Sequence, residues 1–243
     1  MTHILGGYSQ SRCTPTRMSF MTGRYAWNFG FQADGVIETV GAAGIPLTET
    51  LLPEYLKQSG YDTHFYGKWH LGYCDEQLRP ENRGFDTSYG FMGAGINYST
   101  HTTSGVTKYA DYWNQDTFED SNSYTTDDFV DRATSMLDGR VSSGDSDPFF
   151  MWMSFNVPHS PVSAPTEAEL NYFSQIEDED RRIYLAALWR MDFQVGKLIS
   201  KLKTAGEYEN TIIIFQSDNG PTGAGSNFPL RGMKGTYAEG GQR

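Results

Sequence analysis

The chain of 243 residues is long enough to bury a sizeable core, as one large domain or two small ones. Its formal net charge of −11 argues against a nucleic-acid binder, which needs basic surface, and its 15 Tyr, 15 Phe and 5 Trp argue against disorder. No apolar run approaches the ~18 residues that span a membrane, and residues 1–7 carry no signal-peptide core.

The first predicted element is a helix that begins near Cys13. Pro15 suits the first turn of a helix, and Gly23 suits its end. Because a helix N-terminus favours negative charge, this segment can hold an anionic group beside the Cys13 thiol, with Arg17 in the first turn. Taken alone, Cys13 is as easily a small buried apolar residue.

Helices and strands then alternate along the chain. Apolar runs predict three strands, at residues 63–66, 149–157 and 211–215. Apolar residues at helical spacing predict three further helices, at residues 48–59, 125–137 and 180–205. This order predicts an α/β fold with a mostly parallel central sheet flanked by helices.

Two local features refine this prediction. Thr125 and Asp128 form the pattern of a capping box at the start of a helix. Residues 97–123 are rich in Tyr, Thr, Ser, Asn and Asp and poor in aliphatic residues. We expect them to form an ordered surface excursion, because aromatic residues persist through the segment.

Each predicted strand is followed at once by polar residues that can do chemistry. They are Lys68 and His70 after the first strand, His159 after the second, and Asp218 with Asn219 after the third. In open α/β sheets, ligands bind outside the carboxyl ends of the strands. The sequence therefore predicts that these side chains converge at one edge of the sheet.

The residue types suggest individual roles. Asp218 and Asn219 offer hard oxygen ligands suited to Ca²⁺ or Mg²⁺, Lys68 can pair with an anion, and His159 lies in a proline-stiffened loop that suits an acid or base. Lys234 stands among glycines, which allow a loop to approach an oxyanion closely. Each motif alone is also compatible with an ordinary turn or a solvated side chain.

Taken together, these residues resemble the sulfatase family, and most closely its arylsulfatase B-like branch. Residues 13–17 with 22–24 are similar to the family signature, and residues 67–72 are similar to the second signature. The later motifs of the family are matched in order by residues 158–161, 217–220, 230–235 and 239–243.

The resemblance implies an alkaline phosphatase-like core and hydrolysis of sulfate esters on a sulfated small molecule or glycan, a glycosaminoglycan by analogy. It implies that a formylglycine-generating enzyme oxidises Cys13 to formylglycine. One hydroxyl of the hydrated aldehyde then attacks sulfur, and the other loses its proton as sulfate is expelled. A lysosomal or secreted location is also implied.

The resemblance assigns a role to each site residue. Arg17 would hold the formylglycine hydroxyls, Lys68 and Lys234 would clamp the sulfate oxygens, and His159 would protonate the leaving alcohol. His70 would accept the proton during sulfate release. The metal ligands implied are Asp218, Asn219 and residue 13 itself, around Ca²⁺ or alternatively Mg²⁺.

The resemblance also implies an incomplete domain. Members of the family begin with a strand that carries two adjacent aspartates for the Ca²⁺ site, and they end in a smaller C-terminal subdomain. Only twelve residues precede Cys13, and none of them is Asp. We therefore expect residues 1–243 to form a partial sulfatase catalytic domain with little or no activity of its own.

Two other functions remain open at this point. Related phosphatases and phosphonate hydrolases have the same sheet and clamp an anion in a similar way, although the full set of Lys68, His70 and Lys234 favours sulfate. A shortened chain could instead act without catalysis, as a binding protein. Comparison of sulfate with phosphate esters, and the effect of Cys13→Ala, would distinguish the three.

Overall fold

A five-stranded sheet forms the centre of the computed structural model, which describes residues 7–30, 37, 43–103 and 108–243. Its strand order is β4–β3–β2–β1–β5. The strands are β1 (Asp62–Lys68), β2 (Thr87–Phe91), β3 (Trp113–Asn114), β4 (Thr117–Phe118) and β5 (Phe149–Ser154). β1 pairs in parallel with β2 and β5, whereas β3 and β4 continue the sheet antiparallel. The predicted α/β fold with a parallel central sheet is confirmed.

Helices cover both faces of this sheet. They are α1 (Cys13–Thr22), α2 (Leu52–Gln58), α3 (Thr125–Ser143), α4 (Glu167–Tyr172), α5 (Glu179–Thr204) and α6 (Glu239–Gln242). Successive residues of a strand point to opposite faces, so Phe65 packs into the cluster that contains Met18 of α1, while Tyr66 packs into the cluster that contains Phe129 of α3 and Leu198 of α5. None of the helices in the described ranges is long and apolar enough to cross a bilayer.

Helix α1 begins two residues before Pro15. Arg12 is its N-cap and Gly23, at φ 66°, is its C-cap. Since the first backbone N–H groups of a helix have no intrahelical acceptor, a proline is tolerated anywhere in the first turn. The early start places Cys13 itself at the helix N-terminus.

The predicted capping box on α3 is wrong. Tyr124 is the N-cap, without a side-chain bond to the helix, and Thr125 Oγ1 donates instead to Asn156 Oδ1 at 3.1 Å. Asp128 Oδ2 accepts hydrogen bonds from the hydroxyls of Tyr89 (2.7 Å), Tyr112 (3.0 Å) and Ser123 (2.7 Å). The carboxylate therefore satisfies tertiary donors rather than the helix end.

The strand predicted at residues 211–215 is also absent. This segment pairs with no strand of the described sheet, and Ile212 and Ile214 are 90% and 71% exposed. β-branched residues favour a strand, but strand structure forms only where a neighbouring strand supplies hydrogen-bond partners. β5 ends the described part of the sheet, and residues 211–215 do not pair with its open edge.

The segment at residues 97–123 is ordered over its described part, as predicted, but it is not confined to the surface. Tyr98 and Tyr112 are fully buried, and the segment supplies β3 and β4. Buried Asp111 accepts from the backbone N–H groups of Met92 (3.1 Å) and Gly93 (2.8 Å). Residues 104–107 of the predicted excursion, and most of the amino-terminal residues 1–7, lie outside the described ranges.

Two glycines lie side by side where the three parallel strands approach the site. Gly67 pairs with Gly90 of β2 and with Ser154 of β5. A Cβ at Gly67, which has φ 122°, would lie 2.0 Å from the Ser154 carbonyl oxygen, and one at Gly90 would lie 2.0 Å from the Gly67 carbonyl oxygen. No side chain fits at either of these two glycines.

We expect Asp128→Ala to lower the free energy of unfolding by about 2 kcal/mol or more, because it leaves three hydroxyl donors without their acceptor. Asp131→Ala is the matched control on the same helix. Its carboxylate is exposed and, among the described residues, pairs with the Lys197 ammonium alone, so its loss should cost less than about 0.5 kcal/mol. Urea unfolding followed by circular dichroism measures both values, and equal losses would contradict the tertiary role of Asp128.

Candidate active site

Cys13 lies at the centre of the site and is almost fully buried. Its Sγ donates to Asn219 Oδ1 at 3.4 Å and receives a hydrogen bond from Lys234 Nζ at 3.2 Å. Burial raises the pKa of the thiol, but the positive charges beside it, first that of Lys68 and then that of Lys234, outweigh burial and leave that pKa well below its ordinary value. The surroundings of Cys13 therefore favour an anion.

Lys68 is the last residue of the central strand β1, which runs two residues beyond its predicted end, and His70 follows it. Both side chains are buried, and burial lowers the pKa of Lys68 to about 8. Burial, followed by the charge of Lys68, lowers the pKa of His70 to about 4, so its imidazole is neutral near pH 7. His70 Nε2 lies 2.9 Å from the Ile37 carbonyl oxygen and must donate to it, which leaves Nδ1 as the proton acceptor.

His159 approaches Cys13 from the loop after β5. Its Nδ1 donates to the Ser160 carbonyl at 2.8 Å, which leaves Nε2 unprotonated in the neutral ring. A Cβ at Gly95 would lie 2.8 Å from His159 Nδ1, so this glycine makes room for the ring. His159 is positioned by backbone contacts and is only partly buried.

Asp218, Asn219 and Lys234 reach the site although the strand predicted before Asp218 is absent. Thr16 Oγ1 of α1 donates to the Asp218 carbonyl at 2.6 Å and so ties this loop to the helix. The backbone N–H of Lys234 donates to the Pro221 carbonyl at 3.0 Å. Short loops held on α1 therefore bring these three side chains to Cys13 without a strand.

Arg17 connects the ends of β1 and β5 with the loop that carries Asp218. Its Nη1 donates to the Lys68 carbonyl at 2.6 Å and to Ser154 Oγ at 2.5 Å, and its Nη2 lies 3.7 Å from Asp218 Oδ2. The guanidinium is 5.6 Å from the centre of the Trp152 ring. Since Nη1 is engaged with the protein, Arg17 fixes the strand ends in addition to any contact with residue 13.

All six predicted catalytic residues are thus grouped around α1, and four of them line one open pocket of about 330 Å³. Cys13, His70, His159 and Lys234 line this pocket, together with Arg12. Lys68 and Arg17 lie behind it, buried. The pocket combines a buried nucleophile position with several cations, which suits an anionic ester.

The predicted metal ligands fit a divalent cation in kind but not in number. Asn219 Oδ1 lies 3.4 Å from Cys13 Sγ, and the Asp218 carboxylate lies beside Arg17 of the same helix. Two such residues fall short of the six to eight oxygens that Ca²⁺ takes. Across the described ranges, no group of three or more His, Cys, Asp or Glu side chains is arranged to hold a metal ion.

Sequence reasoning missed Ser154 and Arg12. Ser154 Oγ donates to the Lys68 carbonyl at 2.8 Å, and both oxygens accept hydrogen bonds from Arg17 Nη1. This role depends on the pairing of β5 with β1, which the sequence alone does not show. Arg12 lines the pocket beside Cys13. Its position next to the candidate nucleophile was the available signal, since a helix N-cap side chain can lie beside the first helical residue.

The sequence of the chain is similar to those of curated proteins. The chain is 38% identical to arylsulfatase J of Mus musculus and 30% identical to the N-acetylgalactosamine-6-sulfatase of Rattus norvegicus. These matches cover 97% and 95% of the chain, but only 40% and 46% of the two relatives. The chain thus spans less than half the length of these curated relatives.

A solved structure shows the same arrangement of the backbone. The crystal structure of Ps i-CgsB, in complex with k-i-k-neocarrahexaose, is 32% identical and superposes with a TM-score of 0.89. The match covers 97% of this chain and 55% of that one. The sulfatase profile matches residues 6–243, nearly the whole sequence. The chain therefore belongs to the sulfatase family.

Proposed function

We propose that the protein containing this chain hydrolyses sulfate esters with residue 13, converted to formylglycine, as the nucleophile. The observation that carries the proposal is the convergence of Lys68, Lys234, His70 and His159 on Cys13 at the N-terminus of α1. Sulfatases generally depend on formylglycine and on a metal ion, and a formylglycine-generating enzyme would carry out the conversion. The hydrated aldehyde supplies a hydroxyl that attacks sulfur and a second hydroxyl that lets sulfate leave.

The other side chains around residue 13 have separate roles in the reaction. Lys68 and Lys234 offset the charge that develops on the sulfate oxygens, in a buried setting where such charges interact strongly. Neutral His70 offers Nδ1 to accept the proton of a residue-13 hydroxyl. His159, at the open side of the pocket, protonates the leaving alcohol from Nε2 when its ring is an imidazolium, and Arg17 orients residue 13.

We further propose that Asp218, Asn219 and residue 13 contribute ligands to Ca²⁺, or to Mg²⁺. The substrate we infer is a sulfated glycan, because the relatives include an N-acetylgalactosamine-6-sulfatase and a protein crystallised with a neocarrahexaose. A glycosaminoglycan fits this class. The same relationship supports a lysosomal or secreted location.

Mass spectrometry of the Cys13 peptide, from protein made in its native host, tests the modification. We expect the mass loss of a thiol replaced by an aldehyde, together with the hydrate. The peptide that contains Cys74 is the internal control and should keep its thiol, because it lacks the Pro-x-Arg sequence after the cysteine. A native thiol at both positions would contradict the formylglycine mechanism.

Cys13→Ala separates catalysis from binding. In the protein that carries this chain, the substitution should reduce hydrolysis of 4-nitrophenyl sulfate by at least about a thousandfold, because the nucleophile is removed. Equilibrium binding of inorganic sulfate should persist, because both lysines remain. Activity on 4-nitrophenyl phosphate above that on the sulfate ester would point to a phosphatase instead.

The unconverted Cys13 thiol should titrate below the ordinary range of a cysteine. In a Cys74→Ser background, thiolate absorbance against pH reports Cys13 alone. Lys68→Met and Lys234→Met should each raise the pKa of Cys13, because each removes a cation that favours the thiolate. Lys57→Met, which breaks an exposed pair with Asp86, is the control and should leave the pKa unchanged. A wild-type pKa at or above the ordinary value would contradict the proposed site electrostatics.

A further inference from the structure

Arg12 is a pocket residue that the proposed mechanism does not use. It precedes Cys13 directly, caps helix α1 in an extended conformation and lines the pocket together with His159 and Lys234. Its side chain is half-buried, whereas Lys68 and Arg17 lie behind the pocket and are buried. Arg12 therefore lies on the open side of the pocket, where a bound substrate would extend.

The charge of Arg12 is not compensated within the described residues. Arg17 pairs with Asp218 and Arg24 pairs with Glu49, but no described carboxylate lies within ion-pair distance of the Arg12 guanidinium. Arg12 Nε is buried and has no hydrogen-bond acceptor among the residues that the structure describes. The half-buried guanidinium therefore lacks a described counter-ion, and an anionic ligand at its accessible nitrogens can supply one.

The loop that carries Lys234 supports Arg12 from one side. The N–H of Gly235 donates to the Ser11 carbonyl at 2.8 Å. A Cβ at Gly235, which has φ 83°, would lie only 3.0 Å from Arg12 Nη2. The glycine thus lets the loop pack directly against the guanidinium, so Lys234 and Arg12 are held as neighbouring cations.

We propose that Arg12 is a specificity residue that binds a second anionic group of the substrate, a sulfate or carboxylate on the same sugar or on the adjacent one. Lys68 and Lys234 already serve the sulfate that is cleaved, and the planar guanidinium suits a further oxyanion through paired hydrogen bonds. The proposal rests on the proposed function, and it identifies the substrate class as a multiply charged glycan rather than a singly charged aryl sulfate.

Binding to matched sugars in a Cys13→Ala background, with Ca²⁺ in the buffer, tests this without turnover. One pair is N-acetylgalactosamine 4-sulfate against the 4,6-disulfate, and the other is a neocarrabiose with one sulfate against one with a sulfate on each sugar. By calorimetry, the second charge should raise affinity about tenfold or more in at least one pair. Arg12→Met should abolish that gain, leave affinity for the monosulfated sugar within about twofold, and leave the melting temperature unchanged.

Two further variants sharpen the result. Arg12→Lys keeps the positive charge but not the planar guanidinium with its paired donors, so it should retain only part of the gain in affinity. Arg231→Met removes an exposed cation from the neighbouring loop and should keep the full gain. The proposal is overturned if the gain in affinity survives Arg12→Met, if Arg12→Met weakens the binding of both sugars equally, or if it unfolds the protein.

Binding by the Cys13→Ala protein with Arg12 intact distinguishes failure of the role of Arg12 from failure of the proposed function. If the protein binds the monosulfated sugars and gains nothing from a second charge, the role of Arg12 is wrong while sulfate recognition stands. If it binds none of the four sugars, both the role of Arg12 and the proposed function are wrong.

Discussion

The contacts of the Arg17 guanidinium determine the geometry of the whole site. One nitrogen bonds both the carbonyl at the end of β1 and the hydroxyl at the end of β5, and the other lies near Asp218. Helix α1, two parallel strands and the loop after residue 216 are thereby fixed to one another. A buried cation tolerates few changes, because removal of one partner leaves an uncompensated charge in a low-dielectric setting.

Local charge and overall charge have opposite signs in this protein. The chain carries a net charge of −11, yet the pocket around Cys13 concentrates lysine, arginine and histidine. Solvent and salt screen the exposed carboxylates beyond about 8 Å, whereas buried charges close together are screened much less, so a cluster of buried cations can bind an anion within an acidic molecule. The low pKa values of Lys68 and His70 reflect the cost of placing several cations together out of water.

Much of this arrangement could be predicted from the sequence, since apolar periodicity located β1, β5, α3 and α5, and the motifs located residues that meet around Cys13. Polar residues directly after β1 and β5 were expected at one sheet edge, and the structure places Lys68, His70 and His159 there. The failures have a common cause. Thr125, Asp128 and the segment at 211–215 have local patterns that are typical of caps and strands, but tertiary partners, or their absence, decide what they form. Arg12 and Ser154 acquire their roles only from neighbours far away in sequence.

The close backbone packing at the adjacent glycines of β1 and β2 predicts the effect of inherited substitutions at these positions. Any single-base change that replaces Gly67 or Gly90 introduces at least a Cβ, and that atom would overlap a neighbouring carbonyl oxygen. The strands would have to separate one residue before Lys68, and the lysine would move with them. Missense alleles at these two codons should therefore resemble alleles of the catalytic residues in severity, although neither glycine contributes a functional group.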